Sequence, residues 1–142
     1  MLPSLFDSSV YISWLRRPDH ASPALRKLAA DSSLWLSAVV LEELYAGARD
    51  RDRDTVEQME RAFDRAQRIL VPSLRDWAQT GKVLARLAAK YDYESIGRAR
   101  LTNDALLAMS AGRLGITVFT ANLRDFSRLA EFSAFHWQLA TV

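Results

Sequence analysis

Short apolar runs that alternate with helical segments narrow the fold of this chain more than any other feature. Leu2–Phe6, Leu34–Leu36, Ile69–Val71 and Ile116–Phe119 each have the length and composition of a strand. Asp7, Ser37, Pro72 and Thr120 follow them in turn. Ile116–Phe119 is the clearest, β-branched and apolar as a strand buried on both faces should be. A weaker fifth strand is expected at Phe135–Gln138. Strands that alternate with helices predict a mostly parallel sheet of four to five strands, covered on both sides.

The helical segments carry their own signals. Val10–Leu15 starts a helix that Ser8 or Ser9 can cap. Pro23–Ala30 reads as a short helix, and Ser37 caps the helix of AVVLEELYAGA. Asp50–Asp54 alternates in charge and suits a solvated turn or a helix start before an amphipathic helix over Thr55–Arg68. Asp76–Tyr91 is helical, with Trp77, Val83, Leu84 and Leu87 on one apolar face. Thr102 caps a helix that runs to Leu114, where Gly115 provides the stop.

A chain of 142 residues fits one domain, expected here over residues 1–142, and can bury a real core. Hydrophobic residues at 49% and charged residues at 25% argue against disorder. With no cysteine, neither a disulfide framework nor a thiolate metal site is available, which fits a reducing, cytoplasmic location. The start, MLPSLFDSS, lacks the basic and apolar regions of a signal peptide. No apolar run approaches the roughly 20 residues that span a bilayer. A net charge of +2 permits a polyanionic partner without requiring one.

In open parallel sheets, sites form beyond the C-terminal strand ends, where the strand order reverses. Asp7, Ser37, Thr120 and Asn122 all follow strands, and Glu43 and Asp104 lie on helices that can project over the same edge. Each acid also has a purely local reading. Asp7 suits a helix cap, Glu42 and Glu43 a solvent-facing helix surface, Asp104 the first turn of a helix, and Asp125 a turn beside Asn122. The argument for a site rests on the whole set and its order.

That set resembles the PIN-domain nucleases, especially the VapC-type toxins of bacterial toxin–antitoxin pairs. LFDSSVYI is similar to the strand-ending Asp-Thr/Ser-Asn/Ser segment of the family, with Asp7 as the first metal carboxylate. LSAVVLEELYAG resembles its Ser…Glu-Leu-x-x-Gly helix, which selects Glu43 over Glu42. LTNDALLAMSAGRLGITVFTANLRDF resembles its third block, with Asp104 as the central carboxylate. The ending TANLRDF matches Thr-x-Asn/Asp-x-x-Asp/Glu-Phe. Ala105, Ala108, Ala111 and Gly112 keep the intervening helix slim enough to pack closely. Many relatives carry Asp where this chain has Asn122, so one anionic ligand is missing, and Asp125 is the nearest replacement.

The resemblance implies a PIN-like three-layer α/β/α sandwich and a metal-dependent endoribonuclease. Asp7, Glu43 and Asp104 would form the cage for Mg²⁺ or Mn²⁺, cations that prefer carboxylate oxygen. Asn122 or Asp125 would complete it through water, and the Thr120 hydroxyl would orient a ligand or the nucleophile. The implied partners are RNA, commonly transfer or ribosomal RNA, a small antitoxin protein, and a second copy of the chain. The alternative is a PIN-fold protein that binds RNA or a partner without cutting.

Other residues are less specific. Arg98, Arg100 and Arg124 flank the last acidic block and suit either phosphate contacts or a solvated surface. Tyr11, Trp14 and Tyr45 have helical spacing, which favours core or interface over base stacking. His20 and His136 match no metal-ligand spacing. A phosphoacceptor receiver domain is disfavoured because the third strand ends in Pro72-Ser73 and Lys27, Lys82 and Lys90 fall on helices. A phosphate-binding loop is disfavoured because DSSV is not glycine-rich.

Overall fold

The strand order of the computed structural model, which describes residues 2–16, 31–92 and 98–140 (for 98–100 the backbone alone), explains where chemistry gathers. Five strands, β1 (Ser4–Phe6), β2 (Leu34–Ser37), β3 (Ile69–Leu70), β4 (Thr117–Thr120) and β5 (Trp137–Leu139), form one sheet in the order β3-β2-β1-β4-β5. Every pairing is parallel. From β1 the chain steps outward to β2 and β3, then returns to the other side of β1 for β4 and β5. The order therefore reverses between β1 and β4, and in open parallel sheets the C-terminal strand ends at such a reversal are where sites form.

Six helices connect the described strands: α1 (Ser8–Leu15), α2 (Ala38–Gly47), α3 (Asp50–Arg65), α4 (Leu74–Lys90), α5 (Arg98–Arg113) and α6 (Leu123–Ala130). Helices α1, α2 and α3 pack on one another in sequence, and α4, α5 and α6 form a second group. Right-handed crossovers place the two groups on opposite faces, giving a three-layer α/β/α sandwich. Leu5 and Leu36 on the sheet, Leu44, Val56, Met59 and Phe63 on one helical group, and Leu101, Leu107, Phe126 and Leu129 on the other are all buried. No helix of the described residues is long and apolar enough to cross a membrane.

The small residues of α5 act as expected. Ala105, Ala108 and Ala111 are fully buried, and a Cβ at Gly112 would come within 3.1 Å of the Phe135 Cβ, so this helix face closes tightly. Gly115 adopts φ +68°, the left-handed conformation that ends a helix.

Several expected boundaries move. The charged run before Thr55 is helical from Asp50, and Asp52 is buried rather than solvated, with Oδ2 3.3 Å from Arg49 Nε. That helix stops at Arg65 instead of Arg68, and Gln67 takes φ 57° in the turn to β3. Helix α4 starts two residues before Asp76 because Ser73 and Asp76 form a reciprocal capping box. Helix α5 begins at Arg98, so Thr102 lies inside it rather than capping it, and Asp104 belongs to its second turn. The segment Leu123–Ala130 is a helix that the sequence pattern did not reveal. The short helix expected at Pro23–Ala30, His20, and the side chains of Arg98 and Arg100 lie outside the described residues.

Candidate active site

The β1–β4 register builds the first part of the site. Phe6 pairs with Phe119, and the Asp7 N–H donates to the Phe119 carbonyl at 2.9 Å, so the next residues on both strands meet at the sheet edge. There the Thr120 hydroxyl donates to Oδ2 of Asp7, and both side chains are buried. Thr120 Oγ1 in turn accepts from the Asn122 N–H at 2.9 Å.

Asp7 is itself the N-cap of α1, a role the sequence also allowed to Ser8 or Ser9. Its Oδ1 accepts from the Ser9 N–H at 3.0 Å and from the Ser9 hydroxyl. The Ser9 oxygen also accepts from the Ala121 N–H at 3.2 Å. Capping and siting therefore coexist at one carboxylate: the cap fixes the backbone entry to α1, and the second oxygen faces β4.

Ser37 ends β2 and caps α2 through a 3.1 Å bond from the Val39 N–H. This orients α2 so that Glu42 is exposed and Glu43 is half-buried. Burial raises the Glu43 carboxyl above the usual carboxylate range. Hydrogen bonds from the Ser8 and Asn103 side chains oppose that rise, while the charges of Glu42 and Asp7 add to it. Glu43 thus lies within electrostatic reach of Asp7. The side chains that lower its pKa, Ser8 and Asn103, are the chain neighbours of Asp7 and of Asp104, and Asp104 is buried on α5.

Asn122 and Asp125 are engaged with each other. Asn122 is the N-cap of α6: its Oδ1 accepts from the Asp125 N–H at 3.3 Å, and its Nδ2 donates to Asp125 Oδ2 at 2.8 Å. Asp125 is almost fully buried, and its Oδ1 lies 3.4 Å from Nε of the exposed Arg124. Among the described residues, no three His, Asp or Glu side chains are drawn together closely enough to hold a metal ion. Carboxylate, hydroxyl and amide oxygens are still the donors that Mg²⁺ or Mn²⁺ prefers, so the residues fit such a cation in kind while the cage is not closed.

Sequence reasoning did not assign Ser8, Ser9 or Asn103 to the site. Ser8 and Ser9 read as caps, and the signal that could have separated them is Asp-x-Ser, the spacing at which Asp caps the Ser N–H. Asn103 had no signal beyond its place beside Asp104. Tyr11 is core, Trp14 and Tyr45 are partly buried against it, and Tyr45 donates to Glu60 Oε1 at 2.6 Å. His136 is exposed.

The chain is an α/β protein, a doubly wound parallel sheet whose strand order reverses between β1 and β4, with Asp7 just beyond the carboxyl end of β1. Residues 4–132 match the family described as PIN domain, and the chain belongs to that family. Three solved structures share the fold over nearly all of this chain. A chain of the DNA-bound VapBC from Salmonella typhimurium superposes with TM-score 0.67 at 23% identity, covering 98% of both chains. VapBC2 from Rickettsia felis, bound to a promoter DNA fragment, gives 0.64 at 18%, covering 99% of this chain and 100% of that one. FitAB bound to an IR36 DNA fragment gives 0.58 at 20%, with 95% and 93% covered. No curated protein matches the sequence.

Proposed function

We propose that this protein is a divalent-metal-dependent endoribonuclease and the toxin of a type II toxin–antitoxin pair. The observation that carries the reading is the position of Asp7. In a PIN domain, at the strand-order reversal, its buried carboxylate is held by Thr120. Asp7, Glu43 and Asp104 would hold Mg²⁺ or Mn²⁺, with Asn122 or Asp125 reaching it through water. When bound, such a cation lowers the pKa of a coordinated water and offsets charge on the attacked phosphodiester. The chain's own part is to orient Asp7 through the Thr120 and Ser9 hydroxyls and to keep Glu43 in reach through Ser8 and Asn103.

The family likeness supports an RNA substrate of transfer or ribosomal class, and it supports the partner. The structural relatives carry the names VapBC and FitAB, which supports a small antitoxin for this chain. Its C-terminal segment would lie across the acidic edge, with an Arg or Lys at the carboxylates. A homodimer, with Trp14 and Tyr45 near its interface, belongs to the same proposal, as does a cytoplasmic site of action. Light scattering that shows only monomer at micromolar concentration would count against the dimer.

The deciding experiment incubates the purified chain with transfer and ribosomal RNA in Mg²⁺, Mn²⁺ or EDTA. Cleavage in the metals that is lost in EDTA and in Asp104→Asn supports the reading. RNA binding without cleavage would favour the alternative, a non-cutting PIN-fold RNA-binding protein, and the open carboxylate geometry favours testing for it.

A further inference from the structure

Asp7 needs only the Ser9 N–H to cap α1, and that bond is present at 3.0 Å. The Ser9 hydroxyl adds a second bond to the same Oδ1, which the cap does not require. The same hydroxyl oxygen accepts the Ala121 N–H at 3.2 Å, just as Thr120 Oγ1 accepts the Asn122 N–H at 2.9 Å while donating to Oδ2. Two hydroxyls, one on each carboxylate oxygen, are therefore anchored by consecutive amides of the β4–α6 turn. The cap N–H on Oδ1 and Thr120 on Oδ2 already hold both carboxylate oxygens, so what the Ser9 hydroxyl adds is a second bond at Oδ1 and a tie from it to that turn.

We propose that Ser9 is a positioning residue for Asp7: its hydroxyl fills the second acceptor site of Oδ1 and ties the carboxylate to the β4–α6 turn. An ionised carboxylate oxygen offers about two acceptor sites. Ser9 fills both at Oδ1 with its N–H and O–H, and Thr120 fills one at Oδ2. Asp7 then presents a cation with one lone pair on Oδ2, in a set direction. This inference rests on the reading of Asp7 as a metal ligand. Outer partners that orient a ligand are worth about 10–100-fold in metal affinity.

The test measures Mn²⁺ binding directly, by the paramagnetic resonance signal of the free ion, on purified chains without RNA. Thr and Val share a shape and differ by the hydroxyl, so Ser9→Thr and Ser9→Val isolate that group even if Ser9→Ala folds poorly. Ser9→Thr should bind Mn²⁺ within about threefold of the parent, and Ser9→Val about 10–100-fold more weakly. Equal affinity in the two variants, whether normal or reduced, overturns the role of the hydroxyl. Asp7→Asn serves as the reference. If it binds Mn²⁺ as tightly as the parent, Asp7 is not a ligand, and the functional reading falls together with the role of Ser9. If Asp7→Asn loses binding while Ser9→Val keeps it, only the role of Ser9 falls.

Discussion

The Thr120 hydroxyl donates to Oδ2 of Asp7, a residue 113 positions earlier in the chain, and the two meet because β1 and β4 are adjacent parallel strands ending at the same level. Thr120 is also fully buried and accepts the Asn122 N–H. Thr120→Val keeps the shape but leaves a buried carboxylate oxygen and an amide unpaired. It should cost about 1–3 kcal/mol in chemical denaturation and lower RNA cleavage, whereas Thr120→Ser should stay close to the parent in both. Unchanged cleavage in Thr120→Val would remove Thr120 from the orientation of Asp7.

Asp7 and Asp104 should respond differently to neutralisation. Sequence reasoning alone expects either Asn substitution to leave stability intact or improved, because carboxylates that repel one another are relieved. The structure changes that expectation for Asp7, whose two oxygens accept three hydrogen bonds. An Asn there turns one acceptor into a donor facing a hydroxyl, and should cost about 1 kcal/mol of stability. For Asp104→Asn the expectation of intact or improved stability stands. Both should abolish metal-dependent cleavage, and parent-like cleavage by Asp104→Asn under Mn²⁺ would refute the carboxylate assignment.

These contacts show which parts of the molecule were legible in the sequence. The strands are legible because each is a short apolar run, closed by Asp7, Ser37, Pro72 or Thr120 in the first four, and Ser37 and Gly115 are legible because capping is local chemistry. Helix α6 was missed although Asn122 and Asp125 sit at capping-box spacing, and Phe126 and Leu129 follow on one face. In the sequence those residues suit a ligand or a turn equally well, and the pattern does not mark the turn as the start of a helix. Asp52 looked solvated because its neighbours are charged, but its position on α3 turns it toward Arg49 and into the fold. The bonds of Asp7 to Thr120 and of Asp76 to Arg113 join residues far apart in sequence, so only the sheet order and helix packing disclose them.

The Asp76–Arg113 pair should set part of the acid sensitivity. Asp76 is buried and bonds to Ser73, while Arg113 Nε lies 2.9 Å from its Oδ1 and 3.0 Å from its Oδ2. Burial alone would raise this carboxyl, but the Arg113 guanidinium and the Ser73 cap outweigh it and hold the group below the usual range. A depressed folded-state pKa contributes stability above the unfolded value, near 3.9, and that stability is lost as pH falls through the folded value. Arg113 is 34% exposed, so solvent screening limits the effect. Asp76→Asn should cost about 1–2 kcal/mol at neutral pH, and its deficit against the parent should shrink from about pH 4 downward. A deficit that stays constant down to pH 2 would show that the charge is not involved.

Asn122 and Asp125 offer the sharpest test at this edge of the sheet, because the structure gives both a role in capping while the proposed metal site would use one of them. The Asn122 carbonyl and the Asp125 carboxylate already satisfy each other's donors. Asp125 is nearly fully buried beside Arg124, whereas Asn122 is partly exposed where α6 begins, just beyond the end of β4. Asp125→Asn should therefore lower stability by about 1 kcal/mol, as loss of a helix-start contact does, and leave the Mn²⁺ requirement of cleavage within about threefold. Asn122→Asp keeps an oxygen to cap α6 and adds an anion at this edge. It should lower the Mn²⁺ concentration for half-maximal cleavage, because a hard cation gains from each added carboxylate. Titrating Mn²⁺ against cleavage rate for the parent, the two single variants and the double variant separates these roles. A sharp rise in the requirement for Asp125→Asn, reversed by Asn122→Asp in the double variant, would make Asp125 the compensating ligand and the cap secondary. Identical curves for all four would remove both residues from the metal site and leave Asp7, Glu43 and Asp104 as its only protein ligands.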